Sequence, residues 1–186
     1  MLIEEKTFRL KDGRTALIRS PRDEDIPGTL AYLYETAGET DFLLRYPEEC
    51  AAKYTPEGEK VLFDRVNASP CEVMPFCFVD GEIAGNCLLT RLVGIKTRHR
   101  ASVAIAVKKE YWGLGIGTKL MEEMIAIAES VPEILQIELE YIEGNARARR
   151  LYEKMGFRIT GVRPDAIRLK DGTLLNEYSM MRKIER

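Results

Sequence analysis

The sequence predicts an α/β (α+β) domain built around a mixed sheet. Three observations carry that expectation. Asp-Gly pairs at Asp12-Gly13, Asp80-Gly81 and Asp171-Gly172 each lie between segments of strand character. Asp-Gly tolerates the positive φ angles of tight turns, so three antiparallel hairpins are expected. Segments of helical periodicity interrupt the strands, and in the middle a strand runs through a glycine-rich turn into an amphipathic helix.

Taken in order, the first hairpin pairs Thr7–Leu10 with Thr15–Arg19. A helix follows from about Asp23 to Thr36, with Ile26, Leu30, Leu33 and Tyr34 on one side and Pro27 tolerated in its first turn. Thr55 reads as the cap of a second helix, with Pro56 at its first position and Val61, Leu62 and Val66 as its apolar residues. Phe76–Val79 and Glu82–Arg91 form the central hairpin and Ala101–Val107 the next strand. An amphipathic helix runs from Thr118 to about Ser130, carrying Leu120, Met121, Met124, Ile125 and Ala128 at helical spacing. Pro132 ends it, Ile134–Tyr141 is a further strand, and Asn145 caps a last helix that stops at Gly156. Strands around Ala166–Leu169 and Leu174–Met181 close the chain.

The 186 residues suit one domain spanning residues 1–186, large enough to bury a core without disulfides or metal. Hydrophobic residues at 45% and charged residues at 31% are ordinary globular composition. A net charge of −2 offers no field for nucleic acid or an anionic membrane and leans toward an amine substrate. No apolar stretch approaches the roughly 20 residues of a membrane helix, and the start lacks a signal-peptide pattern. The four cysteines contain no C-x-x-C pair, and His99 is the one histidine, so no metal site is expected. Reduced cysteines among apolar neighbours point to a cytoplasmic protein.

The turn Trp112-Gly113-Leu114-Gly115-Ile116-Gly117 carries the first chemistry. Alternating glycines let backbone amides converge on a ligand, and the helix that follows adds its positive dipole end, with Thr118 as a hydroxyl donor. That suits a phosphate, although a purely structural turn is the competing reading. A P-loop requires G-x-x-x-x-G-K-[ST], whereas Thr118 here precedes Lys119; a Rossmann turn requires G-x-G-x-x-G near the first strand. Both nucleotide motifs fail on register.

Val107 through Leu120 resembles the acetyl-CoA pyrophosphate motif of the GNAT family of N-acetyltransferases, [QR]-x-x-G-x-[GA], with Trp112 at the Gln/Arg position. Asn145 through Phe157 resembles the family's second signature, N-x-x-A-x-x-L-Y-x-K-x-G-F, at every fixed position. The order and separation of the two fit the family, and the resemblance extends over the whole chain. It implies a GNAT fold: a mixed, mostly antiparallel sheet with helices on both faces and strands splayed at the acetyl-CoA site. It implies an N-acetyltransferase that moves an acetyl group directly from acetyl-CoA to a primary amine, and a homodimer as the assembly to expect.

By the same resemblance, the backbone around Ile105 and Val107 pairs with the pantetheine arm, and Trp112 to Thr118 hold the diphosphate. Tyr152 protonates the departing thiolate. From pattern alone Tyr152 would be a core tyrosine, since Ala148, Leu151, Tyr152 and Met155 share one helix face. Asn145 reads both as a helix cap and as a donor to pantetheine, and one of the nearby arginines as a ligand of the 3′-phosphate. The group that deprotonates the acceptor is less determined. Glu82, Glu138, Glu140 and His99 lie on or beside strands, a water chain would serve equally, and Glu138 is the candidate carried forward. Phe42, Tyr46 and Tyr54 are candidates for an acceptor pocket, with a small or amino-acid-like amine as the favoured acceptor. The alternatives are a protein N-terminus or lysine, or a non-catalytic acyl-CoA sensor.

Overall fold

A computed structural model describes residues 1–185. The elements run β1 (Lys6–Arg9), β2 (Thr15–Arg19), α1 (Ile26–Glu39), α2 (Pro47–Lys53), α3 (Pro56–Ala68), β3 (Glu72–Val73), β4 (Phe76–Val79), β5 (Glu82–Arg91), β6 (Arg100–Val107), α4 (Ile116–Ser130), β7 (Gln136–Ile142), α5 (Ala146–Lys154), β8 (Arg158–Arg168) and β9 (Leu174–Lys183). One sheet holds all the strands in the order β1-β2-β4-β5-β6-β7-β9-β8, with β3 paired to β5. Every pairing is antiparallel except β6 with β7.

Each face of the sheet has its own core. On one side α4 and α5 pack over the strands, and Leu120, Met121, Met124 and Ala128 of α4 are fully buried there with Ala101, Ile137 and Met180 from the sheet. Each such large apolar side chain contributes about 1.5–3 kcal/mol, so this face, rather than helix propensity, holds α4 in place. On the other side α1 and α3 cover mainly β4 and β5, through Tyr32, Phe63, Val66, Phe76 and Phe78. On β6 that cover reaches Ala106, whose carbonyl accepts from the Tyr32 hydroxyl at 3.0 Å. Ser102, Ala104 and Glu140 are left exposed on the sheet.

Besides the two-residue strand β3, which was not expected, three elements differ from the expectation. The short helix α2 was not expected: seven residues are too few for a periodic apolar face. It is set by Pro47 in its first turn and by Glu49, whose carboxylate accepts the Tyr46 N–H at 2.7 Å. Strand β8 starts at Arg158, well before Ala166, although Gly161, Pro164 and Asp165 are strand breakers. It is an edge strand whose register shifts at Ile159/Gly161 and Arg163/Ile167, and bulged edges tolerate such residues. Helix α4 begins at Ile116, one half-turn before Thr118, which brings Thr118 into its first turn.

Candidate active site

The site forms where β6 and β7 part. Their parallel pairing covers only Arg100 to Ser102 against Gln136 to Glu138, yet both strands continue beyond it. In the antiparallel pairing of β5 with β6, Lys108 N–H donates to Ala84 and Arg100 accepts from Leu92. Alternation then turns the backbone groups of Ala106, Ala104 and Ser102 toward β5, and those of Val103, Ile105 and Val107 toward the gap. With β7 diverged, that edge of β6 offers main-chain donors and acceptors to a ligand lying as an extra strand.

A cavity of about 510 Å³ occupies the gap and continues to the glycine turn at one end and to the loop after α1 at the other. Gly113 and Gly115 hold φ angles of 81° and 105°, and a Cβ built on either would meet no atom within 4 Å. Such a Cβ would project into open space, so the two glycines leave a bare backbone cradle. The α4 N-cap residue Gly115 gives no side-chain cap, and among the described residues the amides of Ile116, Gly117 and Thr118 find no acceptor. Three uncapped amides at a helix N-terminus fit an anion. Gly117 has a different cause: its Cβ would press Leu151 Cδ2 at 3.2 Å, so it permits α4 and α5 to pack closely.

Trp112 Nε1 donates to the Val107 carbonyl at 2.7 Å, strapping the turn to the end of β6. Of the residues expected to hold the donor, all but Leu114 line the cavity. Leu114 instead packs on the core, and its carbonyl accepts from the Lys11 N–H at 3.2 Å. Asn145 Oδ1 caps α5 by accepting the Ala148 N–H at 3.2 Å, which leaves its Nδ2 without an acceptor among the described residues. Cap and ligand donor are therefore compatible roles for this one side chain.

Tyr152 lies between the two ends. Its ring is held between Tyr141 and Phe157, at centroid distances of 6.3 and 6.2 Å, and the residue is 6% exposed while lining the cavity. Among the described residues its hydroxyl has no hydrogen-bond partner, and burial pushes its pKa above the ordinary tyrosine value. The protonated form is therefore the one that lines the cavity at neutral pH.

The structure places Glu138, the carboxylate expected as the base, away from the cavity. Its carboxylate is gripped by Arg100, through Nε at 2.7 Å and Nη2 at 2.5 Å, and by Gln136 Nε2, and the residue lies outside the cavity. The cause is register: Glu138 stands opposite Ser102, in the paired stretch where β6 and β7 are still closed. Glu140 shares its face and sits two residues further along, roughly 6–7 Å away, past the point of divergence. Glu140 lines the cavity and has no hydrogen-bond or ion-pair partner among the described residues. Glu82 is an exposed strand end near Lys108, and His99 uses its carbonyl to receive β7. Of the expected acceptor aromatics only Phe42 lines the cavity, packed against Gly144; Tyr46 and Tyr54 do not. Glu39 and Glu177 also line it, Glu177 paired with Arg163. These two escaped the sequence reading because no motif marks them.

A sheet opened between its one parallel pair, with an amide cradle at the mouth of the opening, defines the acyl-CoA-type transferase architecture. The family model described as "Acetyltransferase (GNAT) family" matches residues 37–157, and the chain belongs to that family. Among solved structures, an acetyltransferase of the GNAT family from Streptococcus pneumoniae matches at TM-score 0.84 and 26% identity, covering 91% of this chain and 99% of that one. The L-amino acid N-acetyltransferase AaaT of Escherichia coli (strain K12) is 29% identical over 104 residues, 56% of this chain and 64% of its own length. An uncharacterized N-acetyltransferase of Methanocaldococcus jannaschii is 36% identical over 84 residues, 45% of this chain and 54% of its own. The chain thus spans less than two thirds of the curated relatives it matches.

Proposed function

We propose that this protein is an acetyl-CoA-dependent N-acetyltransferase whose acceptor is the primary amine of a small, amino-acid-like molecule. The observation that carries the reading is Tyr152: a buried, protonated hydroxyl with no partner among the described residues, in a cavity lined also by a phosphate-type cradle and by the Glu140 carboxylate. Acetyl-CoA supplies a thioester acyl group. The edge of β6 around Ile105, flanked by the Val103 carbonyl and the Val107 N–H, fits its amide-bearing arm, and the cradle at Gly113 to Thr118 fits its diphosphate.

The chain's own groups then divide the proton work. Glu140 accepts a proton from an ammonium, directly or through one water, which leaves a neutral and nucleophilic amine. A main-chain N–H on the open edge of β6 polarises a carbonyl oxygen laid against it. As the amine nitrogen bonds the acyl carbon and the C–S bond breaks, Tyr152 gives its hydroxyl proton to the leaving thiolate. It regains one from the proton that the new amide nitrogen sheds, and its raised pKa keeps it protonated beforehand through the neutral range. Glu140, with no ion-pair partner among the described residues, favours a cationic amine beside it. The AaaT relative acts on L-amino acids, which supports an amino-acid-like acceptor.

The test is acetyl-CoA turnover against a panel of amino acids, amino-acid amides, diamines and peptides, with Tyr152→Phe alongside. Transfer to one small-amine class, slowed in the variant, is expected. CoA binding with no transfer to any amine would sink the enzymatic reading.

A further inference from the structure

The acceptor end of the cavity carries a cation that the proton work leaves unused. Glu140 on β7 stands opposite Ser179 on β9, and Glu177 on β9 stands opposite Arg163 on β8. Paired residues share a face, as do residues two apart along a strand, so Glu140, Glu177 and Arg163 rise from one face of the sheet. Glu140 and Glu177 line the cavity there. The Glu177 side chain is only 10% exposed and accepts from Arg163 Nη1 at 2.5 Å. The Arg163 side chain is 68% exposed, and among the described residues its Nε and Nη2 have no partner. Its place on β8 is fixed by the bulge that follows it, where Asp165 holds a φ of 52° and donates its N–H to Asn176 Oδ1. Asn176 is held in turn by Glu143, whose Oε2 accepts its N–H at 3.0 Å.

We propose that Arg163 reads a carboxylate on the acceptor, so that the acceptor is a free amino acid and not a plain amine. The inference rests on the acceptor class given under Proposed function and narrows it to a zwitterion. Nε and Nη2 form the side-on edge of a guanidinium, the edge whose two parallel N–H groups match both oxygens of a carboxylate. This chain uses that same edge elsewhere: Arg100 holds the Glu138 carboxylate through its Nε and Nη2. Neutralising the buried Glu177 is a structural duty, and it occupies only Nη1 of Arg163. The side-on edge is left open. Glu140 and Arg163 stand two strands across and two residues along from each other, so their Cα atoms are roughly 12 Å apart. The bond to Glu177 draws the guanidinium across β9 toward β7, which shortens its span to Glu140 to the scale of one small zwitterion. The ammonium then meets the unpaired carboxylate of Glu140 while the carboxylate meets Arg163.

Steady-state kinetics of the full chain test this with three acceptors of one side chain: the L-amino acid, its amide and the decarboxylated amine. The side chain is the one that turns over fastest in the panel above. The unmodified chain should prefer the amino acid to the other two by about tenfold or more in kcat/KM. Arg163→Gln should raise KM for the amino acid about tenfold and leave the amide and the amine within about twofold, which erases the preference. Arg163→Lys, which keeps the charge but loses the fork, should restore only part of it. CoA affinity, read by calorimetry, should not move in either variant. A purely structural Arg163 would depress all three acceptors together, and that result overturns the proposal. So does an unmodified chain that uses the amide or the amine as well as the amino acid, a comparison that stands even where a variant fails to fold. Transfer without a carboxylate preference overturns this inference alone. Transfer to no acceptor at all overturns the enzymatic reading, and this inference with it.

Discussion

The two ends of the cavity are built from different materials. The cradle end is mostly backbone: two glycines with positive φ, uncapped amides at the start of α4, and the unpaired edge of β6. The acceptor end is side chains from separate elements: Phe42 after α1, Glu140 on β7 and Glu177 on β9. Backbone recognition needs a particular local sequence, because only certain residues permit the conformation. Side-chain recognition needs only that distant residues meet, which leaves no local pattern. The cradle should therefore fail when any Cβ is added, and the acceptor end only when a particular functional group is removed.

Tyr152, shared by both ends, should show the largest effect. Tyr152→Phe removes the proposed proton donor and leaves the ring between Tyr141 and Phe157, so kcat should fall by about a hundredfold or more with little change in CoA affinity. Its raised pKa adds a pH prediction. The acid form persists as pH rises, so the profile of kcat should show no falling limb from this group below about pH 10. Steady-state rates and CoA calorimetry check both.

At the cradle, Gly115→Val should weaken CoA binding roughly thirtyfold, because φ is 105° there and the new side chain would fill the anion's space. Calorimetry measures it, and KM for the amine should hardly move. The matching change at the other end, Glu140→Gln, should leave CoA binding intact and lower kcat/KM for the amine about tenfold near neutral pH. The defect should shrink as pH approaches the amine's own pKa, since the substrate then arrives neutral. A defect of constant size across pH would show that Glu140 positions the acceptor without taking its proton.

The same division explains what was legible in the sequence. The turn at Gly113 and Gly115 and the capped helix from Asn145 were legible because positive φ and helix capping constrain residue type locally. The hairpins at Asp12-Gly13, Asp80-Gly81 and Asp171-Gly172 were legible for the same reason, and each glycine does have positive φ. Alternation placed Glu138 and Glu140 on one face. Choosing between them needed the residue at which β7 leaves β6, which depends on the pairing of strands far apart in sequence. The bulged edge strand β8 was obscured by Pro164 and Asp165, whose local preferences are overridden by pairing with β9. The pairing of Arg163 with Glu177 crosses that bulged hairpin, and no spacing rule reaches through it.

The smallest effect expected is at Glu138, and it separates a strand ion pair from a base. Arg100, with help from Gln136, holds the Glu138 carboxyl below the usual carboxylate range against the opposing pull of partial burial. A carboxylate whose folded pKa is depressed stabilises the fold above its unfolded value of about 4.3 and loses that contribution as pH falls through the folded value. The pair is half-exposed, so solvent screening limits it to about 1 kcal/mol or less. Glu138→Gln should therefore lower stability slightly at pH 7, with the gap to the unmodified chain closing below about pH 4 in denaturant melts. Turnover should stay within about twofold, because a carboxylate already bound to a guanidinium outside the cavity has no proton work to lose. A large loss of turnover in Glu138→Gln with Glu140→Gln unaffected would return the base to the closed end of the strand pair.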